Sequence, residues 1–332
     1  PSDPQLAHLR DAAIYPQINR RDFAPTIYPP VAQMTFLVNA WLGGTVLSMK
    51  LLLVAIETLG IGAMLAVLRR LGRPAQGILL YAWHPLPIWE IAGSGHIDAL
   101  FVAAVPLAIL AAISGRRVLT GIALGAAVLT KFIPLVLFPA LWRRPDWRMP
   151  AALAAFIVAG YLPYSSVGLR VLGYLPGYAE EEKLTAGAGQ GFWLVDTLRS
   201  VVGLDVPGGA YLAFAALLVA GLGFAALRRP PEPAATVRWA AVLGVTTLLL
   251  LSPHYAWYFV LPVALLTLSP WPPAFWPTLT AFLLYWEPDG GRIPTWAGAV
   301  IYGGFAVAAI LWQLRRRVPR SPGAEHVSSR TA

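Results

Sequence analysis

From residue 46 onward the chain alternates apolar runs with short, arginine-bearing connectors. The stretch LLLVAIETLGIGAMLAVL (51–68) is apolar on every face and lacks the period-two alternation of a barrel strand, so it predicts a helix that crosses a hydrocarbon core. Further runs predict a crossing at 76–92, its return at 98–113, and spans at 150–164, 207–227, 237–253 and 294–314, with short spans near 256–269 and 274–286. An aromatic-containing segment at 31–46 is expected to ride the interface. The fold class expected is an all-α polytopic membrane protein of about ten segments with polar outer loops, a single domain over 1–318 and a disordered tail over 319–332.

Residues 118–142 break the simple count, because arginines bracket both ends. About 25 residues at 1.5 Å each give about 37 Å of helix, enough for one crossing but not two. Lys131 and Pro134 fall near the middle, so the segment reads as a broken-helix hairpin that dips in and returns, with Lys131 at its turn.

Composition agrees with a membrane protein: 57% of the 332 residues are hydrophobic and only 12% charged, against roughly a quarter charged in soluble domains. The net charge of +9 is carried by connector arginines such as Arg69, Arg70 and Arg73, Arg143, Arg144 and Arg148, and Arg315 to Arg317. That is the positive-inside distribution and favours a cytoplasmic face over a nucleic-acid surface. The acids segregate oppositely: Asp3, Asp11, Asp22, Asp98, Glu180 to Glu182, Asp196, Asp205, Glu287 and Asp289 all fall on the outer side of this topology. Chemistry is therefore expected outside. No cysteine is present, which removes disulfides and thiolate metal sites. The chain begins at Pro1 without a visible signal peptide, and an N-terminal piece is expected to precede it.

Several side chains are costly in this setting. His96 and Asp98 in IAGSGHIDALF (91–101) stand between two spans; Asp98 either orients His96 or binds acceptor hydroxyls, or it caps the following helix. Lys131 is a cation at depth, suited to a lipid phosphate or to an internal ion pair. His254 follows Ser252-Pro253 with Tyr255, Trp257 and Tyr258 beside it, where a sugar or phosphate contact competes with an interfacial aromatic belt. Glu90 lies one or two turns from His96 and is expected to line the same cavity. Glu57 and His84, deeper in their spans, read as structural. Asp22 in RRDFAPTIYPP is a further carboxylate, either a base or the partner of its arginine neighbours. The EEEK run (180–183) reads as a solvated loop face and GAGQGF (187–192) as a mobile lid. No H-x-x-x-H, C-x-x-C or D-x-D spacing suggests a metal, and none is expected.

Four stretches, TIYPPVAQ (26–33), YAWHPLPIWEIAGSGHIDAL (81–100), GIALGAAVLTKFIPLVLFPAL (121–141) and SPHYAWYFVLP (252–262), resemble the GT-C membrane glycosyltransferases. The chain is most similar to the family 87 polyprenol-phosphate-mannose-dependent mannosyltransferases, over residues roughly 20 to 270. The resemblance implies a GT-C-like bundle and inverting transfer of a hexose, most simply mannose. The donor would be a polyprenyl-phosphate sugar with no other cofactor, and the acceptor a lipid or glycan on the outer face of a bacterial cell membrane. It implies Asp98, His96 and Asp22 as catalytic candidates and Lys131, His254, Tyr258 and Glu90 as donor-binding ones. Relatives carry their base aspartate in a Trp–Asp–Gly stretch of the first outer loop, which is expected upstream of Pro1. The alternative is a membrane transporter or lipid-linked sugar flippase, a class that also uses dipping half-helices.

Overall fold

The computed structural model describes residues 4–181, 191–286 and 295–317, and among these every regular element is helical. The expectations for the polar loop at 287–292 and for the tail lie outside the described residues, as do Glu182 and most of GAGQGF.

Among the described residues, five helices are long and apolar enough to cross a membrane: Val46–Arg70, Arg148–Gly168, Gly208–Leu227, Pro233–Leu251 and Trp296–Arg317. The first is stopped at its start by a reciprocal cap. Ser48 N–H donates to Thr45 Oγ1 and Thr45 N–H to Ser48 Oγ, both at 3.0 Å. Its 25 residues give about 37 Å of rise, and Leu47, Leu51 and Leu59 lie exposed along its outer side as a lipid-facing helix requires.

The Ala99–Ile113 helix is the centre of the bundle, with twelve of its fifteen residues buried. A helix apolar all round has no solvent side to choose, so it is enclosed by its neighbours. The 46–70 and 117–128 helices flank it, and 117–128 packs in turn on 148–161. Contact with 46–70 is made at Gly60, where a Cβ would lie 2.8 Å from the Ala103 Cα. Small residues bring membrane helices this close without a hydrophobic drive between them.

Segment 117–142 turns back as its length requires. Arg117–Val128 is helical, the chain breaks at 129–132, and Ile133–Leu141 returns in 3-10 and α turns. Lys131 sits in the break, beside the start of the 99–113 helix, while Arg117 and Arg143 come together near its end.

Segment 76–92 differs from the expectation of one continuous crossing. It is a 3-10 turn at 75–78, a short helix at 79–82, three residues at 85–87 and a π-turn at 88–93. Pro85 and Pro87 lack the N–H groups a helix needs, and His84, before the first of them, is extended at ψ 128°. Segments 256–269 and 274–286 are likewise divided, each into short 3-10 and α pieces.

A candidate glycosyl-transfer site

The broken segment at 84–98 shapes the site. His84 accepts the Leu86 N–H on Nδ1 at 3.2 Å, which leaves Nε2 to donate to Thr278 Oγ1 at 3.0 Å. Both ring nitrogens serve the fold. Glu57 is likewise satisfied, accepting from the Tyr81 hydroxyl at 2.7 Å. After the prolines the chain winds more loosely. Ser94 N–H reaches the Trp89 carbonyl and His96 N–H the Glu90 carbonyl at 2.9 Å, with Gly95 in the left-handed region at φ +77°. That turn folds the His96 ring back over its own chain, placing Nδ1 3.5 Å from Glu90 Oε2.

Glu90 is fully buried and is also held by the Tyr285 hydroxyl, 2.7 and 2.8 Å from its two oxygens. Asp98 starts the 99–113 helix, yet its side chain caps nothing. Both of its oxygens instead accept from Lys131 Nζ at 2.8 Å, in a pair where the carboxylate is 1% and the lysine 15% exposed. The capping role is thus excluded, and of the two partners open to Lys131 the structure shows the internal one. A buried charge requires such a partner. The ammonium also lies 4.6 Å from the centre of the Tyr258 ring and 5.9 Å from that of Phe101, so aromatic faces cover its remaining side.

Aromatic side chains wall the cluster. His96 meets the Trp257 ring edge-on at 4.3 Å, Trp257 stacks on Tyr255 at 4.4 Å, and the Tyr258 hydroxyl shares a 3.0 Å hydrogen bond with Tyr178. Tyr28 lies within reach of the Asp98 charge: burial raises its phenol above the usual value and the carboxylate adds to the rise. In the turn at 94–98, burial holds the His96 imidazole below its ordinary value of 6.5. The Asp98 carboxylate works against that fall and the Lys131 ammonium with it. At neutral pH His96 is uncharged and one-quarter of its side chain is exposed, as a proton acceptor requires.

Glu90, His96, Asp98, Lys131 and Tyr258 therefore assemble, from three separate stretches of chain. Asp22 does not join them. It is 80% exposed and pairs with Arg21 at 3.6 Å, the local alternative weighed for it. His254 places Nε2 3.2 Å from the Gly191 carbonyl, two residues before the Trp193–Val202 helix. Tyr28, Tyr178 and Tyr285 are the members that sequence reasoning did not single out. Tyr28 stood in the quoted TIYPP stretch, whereas nothing in the local pattern marks the other two. No group of three or more histidine or acidic side chains able to hold a metal forms among the described residues.

The family model for glycosyltransferase family 87 matches residues 26–253. The chain belongs to glycosyltransferase family 87. The match starts two residues before Tyr28 and takes in Glu90, His96, Asp98 and Lys131; His254 and Tyr258 follow its end. No curated protein and no solved structure matches the chain. As a family 87 member it is a glycosyltransferase, and its apolar helices make it a membrane protein.

Proposed function

We propose that this glycosyltransferase moves a hexose, most simply mannose, from a polyprenyl-phosphate donor to a lipid or glycan acceptor, with inversion, on the outer face of a bacterial cell membrane. The proposal takes the short broken pieces as membrane segments too, about ten in all, in one domain over 1–318, and needs no cofactor beyond the donor lipid. Nucleotide sugars do not cross to that side, which is the physical reason for a lipid-linked donor.

The acceptor oxygen attacks the anomeric carbon in line. Its proton passes to His96 Nε2, and the bond from that carbon to the phosphate oxygen breaks with its electron pair leaving on the phosphate. His96 is assigned the base in preference to Asp98, because Asp98 is nearly inaccessible and both its oxygens are engaged. Glu90 faces the other ring nitrogen and favours the imidazolium as it forms. Lys131, the accessible half of its pair, turns toward the departing phosphate, and Asp98 positions it. Tyr258 and Trp257 offer flat faces to a pyranose ring. The observation that carries this reading is the adjacency of the two couples, His96–Glu90 and Lys131–Asp98, in a family 87 chain.

The test is transfer of label in liposomes from radiolabelled polyprenyl-phosphate mannose and, separately, from other polyprenyl-phosphate sugars. Transfer is expected with one donor and a loss of about 10²–10⁴-fold in His96→Gln, the usual contribution of a general base. A folded protein that transfers from no donor would overturn the reading and promote a lipid-linked sugar flippase.

A further inference from the structure

At the far end of the 99–113 helix, about 21 Å from Asp98 at 1.5 Å per residue, the same elements enclose a second and chemically different cavity. It has a volume of about 370 Å³ and draws its lining from Gly115, from the two ends of the 117–142 hairpin and from the 228–236 connector. Four arginines border it: Arg117, Arg143, Arg144 and Arg229. Against them stand only Glu232 in the lining and Asp146, which lies 3.8 Å from Arg117 Nε. The Arg143 guanidinium has no hydrogen-bond or ion-pair partner among the described residues, and that of Arg144 lies over the Trp142 ring at 5.7 Å.

Arg229 is fixed in place as a receptor group would be. Its Nε donates to Thr236 Oγ1 at 3.2 Å, and Nη1 to the carbonyls of Ala226, Pro139 and Trp142 at 3.0 to 3.2 Å. Nη2 has no partner among the described residues. Burial, and after it the neighbouring Arg143 and Arg117, lower this guanidinium to about 10, so it stays charged at neutral pH and is short of counter-charge.

A second cavity of about 640 Å³ lies beside this one, with Leu227 in the lining of both. It is an apolar groove between the 208–227 helix and the returning arm of the hairpin, floored by Pro139 and Gly223 and edged by Leu135 and Phe224. Arg228 lies at 4.1 Å over the Phe224 ring at its margin, one more cation next to Leu227, which lines both. A cationic chamber beside an apolar groove has the two-part chemistry of a lipid with a phosphate head. Basic pockets between transmembrane helices on the arginine-rich side suit such head groups, and arginine forks match phosphate oxygens.

We propose that the chain holds one anionic phospholipid here, its phosphate among Arg143, Arg144 and Arg229 and an acyl chain in the 135–139/216–227 groove. The site is at the opposite end of the bundle from the transfer cluster and does not depend on the reading of that cluster.

Native mass spectrometry of the detergent-solubilised protein, titrated with dioleoyl phosphatidylglycerol or dioleoyl phosphatidylcholine, tests it. Saturable retention of one phosphatidylglycerol is expected, with none of the zwitterionic lipid. Arg143→Gln/Arg144→Gln, at two exposed positions, is expected to weaken retention by about tenfold or more. Ala220→Trp, which fills the groove, is expected to expel the lipid with the arginines intact. Thermal shifts with inorganic phosphate alone distinguish the sources: a shift equal to that from phosphatidylglycerol, unchanged by Ala220→Trp, would assign the pocket to a soluble phosphate and overturn the lipid. Equal retention of both lipids, or no effect of either variant, would overturn the site. Should the arginine variant fail to fold, the groove variant and the two-lipid comparison decide alone.

Discussion

The two ends of the 99–113 helix carry cations in opposite circumstances. At its start Lys131 is paired: two carboxylate oxygens lie at 2.8 Å and aromatic rings stand beside it, with 15% of the side chain left exposed. At its finish the arginines crowd one another around a cavity with little negative charge to meet them. The first arrangement is complete without a ligand and the second is not. A charge whose partner is built into the fold is needed for folding as well as for chemistry. A charge left facing a cavity is free to serve a ligand, and the fold can lose it.

The sharpest way to break this contrast is Lys131→Met, which leaves the Asp98 carboxylate buried without a counter-ion. Removing one partner of a buried pair costs about 3–5 kcal/mol, to be read as a drop in the denaturant or thermal midpoint in detergent. Lys131→Met/Asp98→Asn removes both charges and is expected to recover most of that stability while transfer stays abolished. Single and double variants equal in stability would mean that the pair is not coupled.

Next in size is Tyr285→Phe, which takes the hydroxyl from Glu90. A buried carboxylate deprived of a hydrogen bond costs about 1–3 kcal/mol. Transfer should fall further than stability does, because Glu90 also faces the His96 ring. Equal loss of both would reduce Glu90 to a structural role.

The helix pattern was legible in the sequence at 46–70, 208–227 and 233–251, where long apolar runs leave helical hydrogen bonding as the only way to satisfy the backbone in lipid. The hairpin was legible from a length that does not divide into two crossings, together with arginines at both ends. The path of 75–93 was not, because the π-turn and the side-chain bond from His84 are tertiary solutions to the gaps left by two prolines. At the site, costly residues announced themselves: Glu90, His96, Asp98 and Lys131 are ionisable groups among apolar ones. Their pairing was not announced. Asp98 and Lys131 are 33 residues apart and Glu90 and Tyr285 195 apart, and spacing carries no information across such separations. Asp22 is the local case: of its two readings, base or partner of an adjacent arginine, the structure shows the pair with Arg21.

Titration probes the occupied end without mutation. Burial keeps His96 below 6.5 in the folded protein, so on acidification the unfolded chain takes up its proton first. The stability linked to this group is therefore present above pH 6.5 and is lost as pH falls through the lower folded value. The rate of transfer is expected to hold level through pH 6.5 and to decline only below it, an acid limb that His96→Gln removes along with most of the rate. A limb centred above 6.5 would mean that the imidazole is not the base, or that its surroundings favour the charged form.

The smallest expected effect is at the other end. Arg143 is exposed and its side chain makes no bond to a described residue, so in detergent free of anionic lipid Arg143→Gln should leave stability within about 0.5 kcal/mol of wild type, as for surface positions without special contacts. Relief of repulsion on Arg229 would even make the change slightly favourable. Phosphatidylglycerol should reverse the order, raising the midpoint of wild type more than that of the variant. If Arg143→Gln were instead as damaging as Lys131→Met without lipid, the cations at the two ends would be doing the same structural task, and the arginines would already be satisfied within the protein.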